Sequence, residues 1–259
     1  MGLRGVLALL RFFTAIPIKT RAGVGEAAKS FHLIPLIGLL EGVILGCVLA
    51  GLRVVGFPSV LAACIAMAIH AGVTGCLHLD GFIDYSEAVA SRRRGDEALR
   101  VMKDPRKGAF ALVTTTIFAL SWFSATCVIY SSLDPLKLLG AVIVIYVASS
   151  ESMFVAAHLS NPEPYQGLGR MFVELSKPRS RLGQSLAIAC SICVAIAVLT
   201  HVEVQALATA AGCAAATLFT VRDSRMRLGY ANGDVLGFCY ELARVASLFA
   251  TSVVSWCTL

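Results

Sequence analysis

Three carboxylates, Asp80, Asp84 and Glu87, stand at i, i+4 and i+7 in the stretch HLDGFIDYSE. On a helix that spacing keeps all three within one narrow arc. Like charges so close repel one another unless a cation sits among them, and oxygen donors with no Cys or His at the same spacing suit a hard divalent ion, Mg²⁺ or Mn²⁺. A second stretch, MKDPRKGAF, returns Asp104 together with Lys103, Arg106 and Lys107. Carboxylates beside cations are what a diphosphate substrate needs: a metal binds its oxygens, and Lys or Arg neutralise the remaining charge. The blander alternative is a solvated network in which the acids neutralise Arg92, Arg93 and Arg94.

The elements that must hold these residues are membrane helices. The 259 residues are 57% hydrophobic and only 15% charged, with a mean hydropathy of +0.78, a balance that a water-soluble domain could not hide in one core. Apolar runs near the length needed to cross a bilayer as helix occur at 31–52, 57–79, 109–130, 136–158, 182–200, 202–221 and 235–259. The expected fold is therefore all-α: a polytopic integral membrane helical bundle of about seven transmembrane helices. The opening MGLRGVLALLRFFTAIPIKTR has the basic start and apolar middle of a signal peptide, but Arg11 interrupts the middle. It reads as a retained interfacial helix stopped by Pro17, with a short eighth span as the competing reading. No linker, repeat or low-complexity tract divides the chain, so residues 1–259 are expected to form a single transmembrane catalytic domain. Its working loops would follow the second and fourth spans.

Lys and Arg number five in residues 1–30, seven in 80–108, four in 159–181 and three in 222–227, against isolated Arg53 and Lys137 in the alternate connections. Basic residues stay on the cytoplasmic side, so the rich loops are expected there, in a multi-pass protein of the cell membrane. The same rule, with anionic lipid headgroups, accounts for the net charge of +6 and removes any need for nucleic acid as a partner. The nine cysteines are scattered apart from Cys190 and Cys193, and read as packing residues rather than zinc or redox groups.

Other ionisable groups fall inside the apolar runs, where they are costly and often functional: Glu41, His70 and Glu151. Glu241 and Arg244 stand at i, i+3 and read as a structural pair. His78 falls roughly opposite Asp80 on a helical wheel. It reads as a support for the site rather than a ligand to the same metal.

At the two acidic stretches the sequence resembles the cobalamin synthase family, the adenosylcobinamide-GDP ribazoletransferases. HLDGFIDYSEA is similar to that family's HLDGLADTxDG, and MKDPRKG to its MKDSRIG. Further resemblances lie at TAIP (14–17), PLIGLLEG (35–42), GLGRMF (167–172) and GDVLGF (233–238), so the likeness runs nearly the whole length. The resemblance implies a polytopic membrane enzyme joining adenosylcobinamide-GDP to α-ribazole, or its 5′-phosphate, with release of GMP and with Mg²⁺ as cofactor. It implies metal binding by Asp80, Asp84 and Glu87, with Asp104 as a further ligand or the general base, and Glu87 as the other catalytic candidate. Lys103 and Arg106 would hold the diphosphate, and Asp234 would bind substrate or serve a helix N-terminus. Enzymes of the same pathway would be further partners; no oligomeric state is implied.

The chain departs from the pattern at several positions. Glu87 stands where the family has Asp, and Ala15 where it has Arg. Ser150 and Glu151 occupy a neighbourhood where an Arg is expected, and Pro105 and Lys107 replace a Ser and an apolar residue. Two other classes are weighed against this one. A CDP-alcohol phosphotransferase would carry D-x-x-D-G-x-x-A-R, which is absent as such. An ion or solute carrier would hold its acids near mid-bilayer and show internal repeats.

Overall fold

The structure, a computed structural model, describes residues 2–257; residue 1 and the final two residues of the run 235–259 lie outside the described residues. All regular elements among the described residues are helical, apart from an isolated bridge between Pro162 and Ala231. Six helices are long and apolar enough to cross a membrane: α3 (Ile34–Val54, preceded by a 3-10 turn at Phe31–Leu33), α7 (Ala109–Ser132), α8 (Pro135–Leu159), α10 (Arg179–Thr200), α11 (Glu203–Arg227) and α12 (Gly233–Cys257). This is the expected polytopic helical bundle.

The expected second span is not one straight helix. It breaks into α4 (Ser59–Thr74) and α5 (Leu77–Ala90), bent by 98°. Gly75 and Cys76 take φ of +60° and +60°, the left-handed conformation that ends a helix. Gly75 adopts it without strain. The pair together supplies at most a seventh span.

Shorter helices cap one end of the bundle: α1 (Gly2–Phe13), α2 (Val24–Lys29), α6 (Gly95–Lys103) and α9 (Leu168–Ser176). At 12 residues α1 falls short of a membrane crossing, which removes the eighth-span reading. Its apolar face, including Leu9 and Phe13, is buried against its neighbours. In α8 83% of the most apolar stretch is buried, against 17% in α10, so α8 is the axis of the core and α10 a peripheral strut facing lipid.

Hydrogen bonds sort the connections between the two ends. Arg227 Nη1 donates to the Ala88 carbonyl at 2.9 Å, and the Ala231 amide donates to the Asn161 carbonyl at 2.9 Å. These bonds gather the basic loops at the end where α1 and α9 lie. At the opposite end Tyr130 Oη donates to the Phe57 carbonyl at 2.9 Å, joining the α3–α4 turn to the foot of α7. The alternation of basic and neutral loops thus corresponds to two physical ends of the bundle.

Candidate active site

The site begins with a close helix crossing. A Cβ placed on Gly81 would lie 3.0 Å from the Asp234 Cα and 3.0 Å from its carbonyl oxygen. Glycine there lets α5 lie against the start of α12, which brings Asp80 beside Asp234 although 154 residues separate them in sequence. The first turn of α12 is fixed by Asn232. Its Oδ1 accepts from the Val235 amide at 3.0 Å, and its Nδ2 donates to Asp234 Oδ2 at 3.1 Å. A carboxylate in the first turn is also favoured by the helix dipole. Glu163 arrives from the α8–α9 loop, where its Oε1 accepts from the Arg170 amide at 2.9 Å and caps the first turn of α9.

These elements enclose a cavity of about 360 Å³ with two chemically distinct walls. The polar wall carries Asp80, Asp234, Glu163, Asn232 and Lys103. Lys103 is held by a cation–π contact, its ammonium 5.2 Å from the centre of the Tyr165 ring. On the apolar wall are Phe12 and Phe13 of α1, Phe31, Phe172 of α9 and the buried His78. His78 therefore borders the cavity itself, with its ring 4.3 Å from that of Tyr240.

Of the expected site residues, Asp80, Asp234 and Lys103 line this cavity. Asp84 lies outside its lining, near enough to Asp80 and Asp234 to share their electrostatic field, and Glu87, Asp104 and Arg106 lie farther along the chain. Asp84 Oδ1 is 2.8 Å from Lys107 Nζ, a partly buried ion pair. Glu87 is buried, and its Oε2 accepts from the amides of Gly108 at 3.0 Å and Ala111 at 3.1 Å. That makes it the cap of α7, satisfying donors that the first turn of a helix otherwise leaves open. Asp104 sits on the open α6–α7 loop, where its Oδ1 accepts from the Arg106 amide at 2.8 Å. This bond, with the nearby charges of Arg106 and Lys107, holds its carboxyl below the ordinary aspartate range. The Arg106 side chain is 91% exposed.

The four acids expected to hold a metal consequently do not form one donor set. Among the described residues no three His, Cys, Asp or Glu side chains gather as a metal cluster. Mg²⁺, however, is commonly held by one or two carboxylates together with substrate phosphates and water. The oxygen donors of Asp80 and Asp234 on one wall fit that smaller requirement.

The capping role makes Glu87 testable apart from the metal. Glu87→Ala should lower stability by about 1–2 kcal/mol, the usual cost of losing a cap or leaving buried donors unmet. Glu87→Gln, which retains an acceptor, should lose less and keep the wild-type Mg²⁺ dependence of turnover. Thermal unfolding in detergent and a Mg²⁺ titration check this. Unchanged stability with a shifted Mg²⁺ optimum would return the residue to the metal.

Glu163, Asn232 and Tyr165 were not singled out by sequence. For Asn232 a signal existed, since Asn-Gly-Asp before an apolar run is an N-cap pattern. Glu163 lies in NPEPY, a loop without periodicity. Away from the cavity, the core holds a polar network. His70 Nε2 lies 2.9 Å from Glu241 Oε1, Tyr146 Oη lies 3.1 Å from His70 Nδ1, and Arg244 donates to Glu241 through Nε at 3.1 Å. The Arg244 guanidinium also covers the Trp122 ring at 3.7 Å, and Tyr240 donates to Glu41. Glu241 and Arg244 are thus paired as expected, and His70 and Glu41 are occupied by the same core. Glu151 accepts from Ser185 at 2.5 Å on the other side of α8.

A family model described as cobalamin-5-phosphate synthase matches residues 5–252. The chain belongs to the cobalamin-5-phosphate synthase family. Similar relatives include an adenosylcobinamide-GDP ribazoletransferase of Halorubrum lacusprofundi, 33% identical over 98% of this chain and 97% of the relative. One of Stutzerimonas stutzeri is 33% identical over 94% and 95%, and one of Pseudomonas aeruginosa PAO1 is 29% identical over 97% and 99%. No solved structure matches the chain. The family match spans the segments carrying Asp80, Lys103, Glu163 and Asp234, so the whole cavity lies inside the shared region.

Proposed function

We propose that the chain joins adenosylcobinamide-GDP to α-ribazole, or its 5′-phosphate, with release of GMP. The observation that carries this reading is the convergence of Asp80, Lys103 and Asp234 on one cavity in a chain of this family. Three separate helices, α5, α6 and α12, supply them.

In the reaction a ribose hydroxyl attacks the phosphorus attached to the cobinamide side. A new ribose O–P bond forms, the bond from that phosphorus to the bridging oxygen breaks, GMP departs with that oxygen, and the hydroxyl proton is released. Little covalent work falls to the protein in such a transfer, so positioning and charge neutralisation dominate. Asp80 and Asp234 accept hydrogen bonds from the ribose and would hold a divalent cation, Mg²⁺ or Mn²⁺. When bound, that ion would neutralise the diphosphate oxygens and stabilise charge on the leaving GMP. Lys103, tethered over Tyr165, lends its charge to the diphosphate, while the exposed Arg106 extends the cationic rim along the loop and Lys107, paired with Asp84, anchors it. Glu163 and Asn232 fix the starts of α9 and α12 and so set the distance between the walls.

The basic end of the bundle faces the cytoplasm in this reading, because it carries the Lys- and Arg-rich loops. Purified protein in detergent should release GMP from adenosylcobinamide-GDP only when α-ribazole and Mg²⁺ are both present. Folded protein that releases none under those conditions overturns the proposal.

A further inference from the structure

The cavity's two walls differ too much in chemistry to serve one substrate alike. On the apolar side, Phe31 and Phe172 have ring centres 5.0 Å apart, Phe13 and Phe172 5.5 Å, and Phe12 and Phe172 5.1 Å. Phe13 also stacks on His78 at 5.7 Å. Rings from α1, the turn before α3, α5 and α9 therefore form one continuous aromatic lining. Such a lining favours a flat, uncharged aromatic group, which gains both burial and ring contact. A guanosine diphosphate carries its base next to a concentrated negative charge. Drawn inward, it would bring that charge toward Asp80, Glu163 and Asp234, with Lys103 the one Lys or Arg side chain among the described residues that lines the cavity. Size points the same way. A cavity of about 360 Å³ accepts a nucleoside, whereas a corrinoid macrocycle with its amide side chains is several times too large.

We infer that the aromatic end of this cavity receives the benzimidazole base of the ribazole substrate, while the corrinoid and its guanosine diphosphate dock outside, against the cationic rim. This rests on the function proposed above and adds to it an order within the site. The base lies innermost, the ribose hydroxyls reach Asp80 and Asp234, and the diphosphate meets them at the mouth beside Lys103. Phe172 thereby becomes a specificity residue for the nucleoside, and α1 a wall of the binding site rather than only a membrane rest.

The test separates the two substrates. Free 5,6-dimethylbenzimidazole should compete with α-ribazole in steady-state kinetics and fail to compete with adenosylcobinamide-GDP. Phe172→Leu, and in parallel Phe12→Leu at the less buried ring, keep apolar volume but remove an aromatic face. Each should raise the KM for α-ribazole about five- to tenfold and leave the KM for adenosylcobinamide-GDP unchanged. Competition of the free base with adenosylcobinamide-GDP, or a KM rise confined to that substrate, overturns the inference. Equilibrium binding of the base, followed by its own fluorescence, needs no catalysis. If wild-type protein binds the base, Phe172→Leu weakens that binding and yet no GMP is released, the cavity assignment stands and the proposed reaction fails. If folded wild-type protein does not bind the base, the assignment itself fails.

Discussion

Asp80→Asn leaves the protein folded and lowers GMP release by about 10²- to 10³-fold, the range found when a single group stabilising transition-state charge is removed. The side chain is exposed on the cavity wall, so the isosteric amide disturbs no packing. What it removes is a full negative charge beside Asp234, at the place where a cation would meet the diphosphate. The Mg²⁺ concentration giving half-maximal rate should rise along with the loss of kcat. Asp84→Asn provides the contrast. Its carboxylate does not line the cavity and is paired with Lys107 at 2.8 Å, so its loss should free that lysine, remove one negative charge from the neighbourhood of Asp80 and Asp234, and reduce turnover less than Asp80→Asn. Near-wild-type kcat and unaltered Mg²⁺ dependence in Asp80→Asn would sink the assignment. Thermal unfolding in detergent, unchanged between wild type and variant, confirms that the loss is chemical.

The other large effect lies in the core. Arg244→Met should destabilise the bundle by about 3–5 kcal/mol, because it strands the fully buried Glu241 without its cation. It also removes the guanidinium from the Trp122 face. Glu241→Gln should cost a comparable amount by leaving Arg244 uncompensated. Combining Arg244→Met with Glu241→Gln should restore much of the loss, since the expense arises from an unpaired buried charge more than from the absence of the pair. Denaturant or thermal unfolding of the reconstituted protein measures all three. Strictly additive losses in the double variant would show that the two residues do not act together.

Much of the frame was legible in one dimension. Apolar runs at bilayer length announced α3, α7, α8, α10, α11 and α12, and the i, i+3 spacing announced the Glu241–Arg244 pair. The break between α4 and α5 was masked because the apolar pattern continues from Val73 to Leu79 across Gly75 and Cys76. Hydropathy registers burial but not backbone direction. Only the left-handed conformation at those two residues turns the chain. The three-acid face of α5 was sound as helix geometry, but its acids meet different partners: Asp80 lines the cavity, Asp84 pairs with Lys107 and Glu87 caps α7. A helical wheel shows which side chains share a face, not what the facing segment offers, and for Glu87 it offers the open amides of α7. Asp234 was found through the family motif, while its partnership with Asp80 depends on the absence of a side chain at Gly81. Glu163 was silent because a capping loop has no period to read.

The bend at Gly75 has a bearing on how the substrates arrive. The 16 residues of α4 span about 24 Å as helix, short of the roughly 30 Å of hydrocarbon beside them. A bilayer meets such a deficit by thinning around the protein, which would draw the headgroup plane down toward α5 and the mouth of the cavity. A reacting centre so placed would lie in a shallow basin of the membrane rather than on a pedestal above it. An amphipathic corrinoid adsorbed to the lipid would find that basin by a search over a surface instead of through a volume, and its product would leave by the same plane.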